Sequence, residues 1–187
     1  MPEFSSYCEF CASLPPDDPN RIYHDSDYGF PLASDAELFG RLVLEINQAG
    51  LSWLTILKKR DAFDRAYDGF DIDRVASYGE ADIERLMADA GIIRNRRKIA
   101  AAIENARRII DMRATHGSFK GWLDAHHPLD KAAWVPLFKK TFVFVGGEIV
   151  GEFLMSTGYL PGAHIASCPA GKRAIERGAP WHARGGR

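Results

Sequence analysis

Residues 34–60 read SDAELFGRLVLEINQAGLSWLTILKKR, and this stretch decides the fold class. Ser34 followed three residues later by Glu37 is the capping-box signature of a helix start, and Gly50 supplies the stop. At about 100° per residue, Leu38, Phe39, Leu42, Val43 and Ile46 share one arc, which predicts a helix over 34–48. Glu45 falls at the edge of that arc, beside Leu38 and Leu42, and not on the solvated back. Two readings of it stand. Either its stem lies along the core boundary while its carboxylate reaches water, or the carboxylate is aimed into a pocket.

Outward from this segment the chain reads as helical, with few β-branched alternations and with Gly or Pro at intervals that suit short helices. Further helices are expected at about 52–66, 72–77, 81–89, 94–115, 118–125, 130–140 and 147–157, making the class all-α. Residues 1–33 are rich in Pro, Asp and aromatics, lack helical period and are expected to be irregular, as is the segment from Pro161. With 187 residues, 46% apolar and 26% charged, the chain suits one globular domain able to bury its own core. That domain is expected to span residues 1–169, leaving a polar, basic, partly ordered tail over 170–187.

No apolar run approaches membrane-span length, and the first residues lack a basic region followed by an apolar core, which makes the cytoplasm the expected compartment. A net charge of −1 gives no global nucleic-acid signature, so any DNA contact must come from local clusters. Such clusters exist at Lys58-Lys59-Arg60, at Arg94, Arg96, Arg97 and Lys98, at Arg107-Arg108 and at Lys139-Lys140. Each alone fits a solvated helix face. The set at 94–98 is distinctive because it sits at a helix start, the end where the macrodipole disfavours cations. Either it carries excess charge into water or it binds phosphates.

All three cysteines lie in the two irregular ends, Cys8-x-x-Cys11 at one and Cys168 at the other, with His24 and His164 beside them. C-x-x-C and H-x3-C pairs can each place two ligands on one tetrahedral metal, which would pin the termini together. Buried cysteines also serve as small hydrophobes, so spacing leaves both readings open, with five candidates for four places. Between two predicted helices, Phe142-Val-Phe-Val-Gly-Gly147 forms a short apolar link. Its two glycines would let backbone N–H groups approach a phosphate, or the link is a buried β-like strand or a plain helical turn.

Four pieces carry a family resemblance: YHDSDYGFP at 23–31, LEINQAGLSWLTILKKR at 44–60, DAGIIRNRRKI at 89–99, and FVFVGG at 142–147 followed by His164-x3-Cys168. From about Cys8 to Cys168 the chain resembles the 3-methyladenine DNA glycosylase I family of the helix-hairpin-helix superfamily. The resemblance implies a helix-hairpin-helix glycosylase fold whose irregular ends are joined by one structural Zn2+. It implies a monofunctional hydrolase that flips an alkylated purine, 3-methyladenine, out of double-stranded DNA and cleaves its glycosidic bond. It implies neither a membrane nor an obligate protein partner, and the enzyme is expected to act as a monomer.

By that resemblance Glu45 is the carboxylate that receives the base edge, Tyr23 and Trp53 are stacking walls, and Phe10 and Ile46 lie near the base. Gln48, Gly50, Leu51 and Ser52 belong to the loop at the DNA gap, with Arg94, Lys140, Gly146 and Gly147 as further DNA contacts. His24, His164 and Cys168 match the zinc ligands. Cys11 keeps the family's interval to His24, whereas Cys8 keeps an aromatic two residues on, and the reading leans to Cys8 as the fourth. Asn20 replaces a usual Tyr, Tyr28 a usual Trp, Ile46 a small residue, and Pro161-Gly162-Ala163 the usual Val-Asn-Asp before His164. Such departures, with Ser13 nearby, leave room for a bulkier or different alkylpurine, or for a DNA-binding relative with weak catalysis.

Overall fold

The computed structural model describes residues 4–183, and every regular element among them is a helix. The chain forms two compact units, a central one over Ala33–Val150 and a terminal one from Met1–Leu32 and Gly151–Arg187. None of the described helices is long and apolar enough to cross a membrane.

The terminal unit contains α1 (Tyr7–Ala12) and α2 (Pro19–Ser26), so residues 1–33 are not the irregular segment that their composition suggests. Both helices are locally encoded. The Ser6 side chain accepts from the Glu9 amide, Asp18 accepts from the Asn20 amide, and Pro19 opens α2 with its φ already set. Helices of six and eight residues carry too few turns for an apolar period to register, and Pro19 reads as a breaker where it is a starter.

The central unit is built on α3 (Asp35–Gln48), in which every residue from Leu38 to Asn47 is buried. The Ser34–Glu37 capping box forms as expected, with the Glu37 amide 3.2 Å from Ser34 Oγ and the Ser34 amide 2.9 Å from Glu37 Oε2. The expected helix over 52–66 is divided into α4 (Trp53–Leu57) and α5 (Arg60–Ala66). The break falls at Lys59, whose backbone turns to φ −105°, ψ 0° and whose ammonium donates to Ala90 O and Gly91 O at 2.9 and 3.1 Å. A 310 turn at Asp68–Phe70 comes after it, then α6 (Ile72–Ala76) and α7 (Glu80–Ala88). Gly40 is where the Phe70 ring crosses α3; a Cβ there would meet that ring at 2.6 Å.

The long helix α8 (Arg96–His116) packs against α3, α6 and α7, and also against α9 (Phe119–His126). Asn95 caps its start and Gly117, at φ +76°, ends it. The Asp35 carboxylate accepts the Phe119 and Lys120 amides, both at 2.9 Å, so the first turn of α3 also caps α9. Next come α10 (Lys131–Thr141) and α11 (Gly147–Ser156), and the chain passes from one unit to the other inside α11.

The link between α10 and α11 is an irregular hairpin and not a strand. Fully buried Asn105 of α8 clamps it, accepting from Val143 N at 2.8 Å and donating to Val143 O at 3.1 Å. The tail carries α12 (Pro169–Glu176) and α13 (Pro180–Ala183); its residues 184–187 lie outside the described residues.

Asn105→Ala leaves both backbone groups of Val143 without their side-chain partner. We expect it to lower unfolding free energy by about 2 kcal/mol in urea titration, with the helical circular dichroism signal of the native state retained.

Candidate functional site

In the terminal unit four side chains converge. Cys8 lies on α1, His24 on α2, His164 in the loop after α11, and Cys168 immediately before α12. Their ligand atoms all lie within 4.8 Å of one another. His164 Nδ1 is 3.2 Å from His24 Nε2, 3.7 Å from Cys8 Sγ and 3.5 Å from Cys168 Sγ, and Cys168 Sγ is 3.6 Å from His24 Nε2. A tetrahedral metal with usual Zn–N and Zn–S lengths has edges of roughly 3.3 Å between nitrogens and roughly 3.6 Å between nitrogen and sulfur. The donor set therefore has the size of a single four-coordinate cation site.

The outer contacts orient the rings. His24 Nδ1 faces Asp25 Oδ1 at 2.8 Å, and His164 Nε2 donates to the Tyr28 carbonyl at 2.6 Å, which leaves His24 Nε2 and His164 Nδ1 pointing inward. Gly29, at φ +80°, permits the close approach of this loop, since a Cβ there would meet Ala163 Cβ at 2.9 Å. Burial pushes the Cys8 thiol up and the His164 imidazole down. A bound divalent cation would reverse the effect on the thiol by bonding the thiolate directly.

Cys11 is outside the cluster. It is fully buried, its thiol donates to Asn20 O at 3.6 Å, and burial raises its pKa to about 11. Three residues on from Cys8, it turns toward α2 as a packed neutral thiol.

The aromatic residues of the same unit form a second group. Tyr23 is buried with its ring 5.6 Å from Tyr28, and Phe10 is half-buried, 6.1 Å from Tyr7, which meets Tyr28 edge-on at 5.5 Å.

In the central unit the end of α3 carries the carboxylate. Glu45 is 4% exposed and is the only buried Asp or Glu among the described residues. The boundary reading, with the carboxylate in water, is therefore overturned. Ile46 beside it is 1% exposed. After Gln48 the chain turns through Gly50 at φ +84°. Gln48 holds Leu51 from both sides, accepting its amide at 2.7 Å and donating its side-chain amide to Leu51 O at 2.9 Å. Leu51 stands 39% exposed, and Ser52 caps α4, whose first residue is the half-buried Trp53.

The basic clusters divide by use. Arg96 pairs with Glu84 at 2.6 Å and with Glu80, and the Arg97 guanidinium lies 5.7 Å over the Phe144 ring of the hairpin. Lys98 is buried and donates to Asn47 O at 2.9 Å and Ala49 O at 2.8 Å, and burial lowers its pKa. Sequence reasoning grouped Lys98 with surface cations; its placement at a helix start was the one sign that it differed. Arg94, Lys58, Lys139 and Lys140 are exposed and make no ion pair among the described residues. Gly146 and Gly147 lie at the start of α11, and a Cβ on Gly146 would meet nothing, so packing does not dictate that glycine.

Residues 14–134 match the family described as methyladenine glycosylase. The chain is 35% identical over 179 residues to DNA-3-methyladenine glycosylase 1 of Escherichia coli K12, covering 86% of this chain and 95% of that one. It is 32% identical to DNA-3-methyladenine glycosylase of Haemophilus influenzae, over 79% of this chain and 89% of that one. Its fold is similar to that of 3-methyladenine DNA glycosylase I from Staphylococcus aureus, with a TM-score of 0.76 at 31% identity, covering 88% and 97% of the two chains. A variant of 3-methyladenine DNA glycosylase I solved in complex with 3-methyladenine matches at a TM-score of 0.74 and 31% identity, over 86% of this chain and 96% of that one.

Removing a cluster ligand should separate the two N-terminal cysteines. Cys8→Ser is expected to lose bound divalent metal by elemental analysis and to melt about 10 °C lower, whereas Cys11→Ser keeps the metal. Equal metal loss in both variants would contradict the assignment.

Proposed function

Because this chain belongs to the methyladenine glycosylase family, we infer that it is a DNA glycosylase of base excision repair, a hydrolase that excises 3-methyladenine from alkylated DNA. The observation that carries the residue-level reading is the burial of Glu45, the one enclosed carboxylate among the described residues. A carboxylate offers only acceptor oxygens, which suits a cationic, donor-bearing purine.

A base inside the duplex is out of reach, so the nucleotide is extruded; damage that weakens stacking or pairing lowers that cost. Methylation at N3 leaves adenine positively charged. When the C1′–N9 bond breaks, its electron pair goes to the base, which departs neutral. Water then adds to the oxocarbenium-like sugar at C1′ and releases a proton. The protein has to supply orientation, a stacking surface and an acceptor for the base's donors. Glu45 is the acceptor, and Trp53 is a stacking surface worth about 1–3 kcal/mol. Ile46 stands beside Glu45 in α3, and its bulk makes that position a determinant of which alkylpurine enters. Leu51 and its flanking Gln48, Gly50 and Ser52 read the gap left in the stack, while Arg94, Lys140 and the amides at Gly146 and Gly147 receive phosphates.

Zn2+ suits the terminal cluster, held by Cys8, His24, His164 and Cys168. Two thiolates and two imidazoles complete a tetrahedron and leave no open position, so the ion would supply folding energy and not a reacting oxygen. The reading places the protein in the cytoplasm as a monomer acting on double-stranded DNA by hydrolysis alone.

Glu45→Gln presents a donor where the base needs an acceptor. We expect release of 3-methyladenine from methylated duplex to fall about 10- to 100-fold, the equivalent of one or two charge-assisted hydrogen bonds. The helical circular dichroism signal of the native state should be retained. Unchanged release would take Glu45 out of the site.

A further inference from the structure

Lys98 is the only buried lysine among the described residues, at 6% exposure. It stands in the first turn of α8, the wrong end of its own helix for a cation. Its ammonium meets two carbonyls in place of a carboxylate, Asn47 O at 2.9 Å and Ala49 O at 2.8 Å. Those carbonyls belong to the C-terminal end of α3, the end where a positive charge is favourable. The lysine thus caps a helix that lies about fifty residues earlier in the chain.

The exposed turn begins directly at that cap. Ala49 leaves the helical region at ψ 116°, Gly50 takes φ +84°, Leu51 is tied to Gln48 through both its backbone groups, and Ser52 Oγ accepts from Thr55 N. With Lys98 on Ala49 O, each residue from Gln48 to Ser52 has a fixed backbone or a bonded group. Leu51, one of few large apolar side chains standing exposed, is presented on the outside of that closed turn. A probe that enters a base stack gains by being ordered beforehand, because ordering on contact subtracts from binding.

We propose that Lys98 is the positioning residue for the DNA-reading turn Ala49–Ser52, holding Leu51 in the conformation that meets the base stack. This rests on the glycosylase reading for the turn's contact with DNA, but not for the locking of the turn itself. Lys98 acts through backbone carbonyls, so its effect should appear on duplex DNA and not on the free base.

The test compares the parent chain with Lys98→Met, which cannot donate, and Lys98→Gln, a neutral donor that also serves should the Met variant fail to fold. In Lys98→Met, amide hydrogen exchange at Leu51 should accelerate about tenfold or more, with Lys98→Gln between it and the parent. Excision of 3-methyladenine from methylated duplex, as kcat/KM, should fall about tenfold or more, while affinity for free 3-methyladenine stays within about threefold. Unchanged exchange at Leu51 would overturn the proposal. So would excision and free-base affinity falling by the same factor, which would locate the damage in the base pocket. A parent chain that releases no purine would sink the glycosylase reading, and the exchange comparison would still decide whether Lys98 locks the turn.

Discussion

Each helix end leaves backbone groups without a partner inside the helix, and in α3, buried from Leu38 to Asn47, side chains meet those groups at both ends. The central unit is organised around these contacts. At the start of α3 the Ser34–Glu37 box takes the free amides, and Asp35 reaches across to the amides of α9. At its end Lys98 takes two carbonyls. Those side chains tie α3 to α9 and α8, elements distant in sequence, so satisfying one helix's backbone also fixes its neighbours. Glu45 shares this enclosure at 4% exposure, and in the proposed reading its carboxylate faces the base.

The terminal unit solves a different problem. The helices that lie wholly within it are short, of six, eight, eight and four residues, too short to hold themselves. The cluster of Cys8, His24, His164 and Cys168 gathers α1, α2 and the chain before α12 around one point. In the proposed reading, pocket chemistry and metal binding are separate tasks, one assigned to α3 and the turn after it, the other to the cluster formed by the two ends of the chain.

Much of this was legible in the sequence where the signal is local. The capping box and the apolar arc located α3 to within a residue, and the Gly50 stop fell in the right place. The family resemblance named three members of the cluster, His24, His164 and Cys168, and leaned to Cys8 over Cys11 for the fourth. What escaped depends on distance or on brevity. The helices of the N-terminal segment and the tail are too short for a period, although Asp18-Pro19 and Cys168-Pro169 each announce a start. Cys8 and Cys11 differ only in which way they face, and one-dimensional spacing holds no such information. Lys98 looked like its neighbours Arg96 and Arg97 because its partners lie far back in the chain. Asn105 looked like an ordinary polar helix residue for the same reason, until the hairpin at Val143 closed on it.

The central claim is hydrolytic release of a damaged purine, and the most direct measurement is a single-turnover reaction of the full chain with methylated duplex DNA. Both the freed base and the strand are followed. Hydrolysis without a covalent intermediate predicts free 3-methyladenine in step with an intact strand bearing an abasic site, and no protein–DNA adduct on borohydride treatment. Absence of released base, or release accompanied by strand cleavage and a trapped adduct, would contradict it.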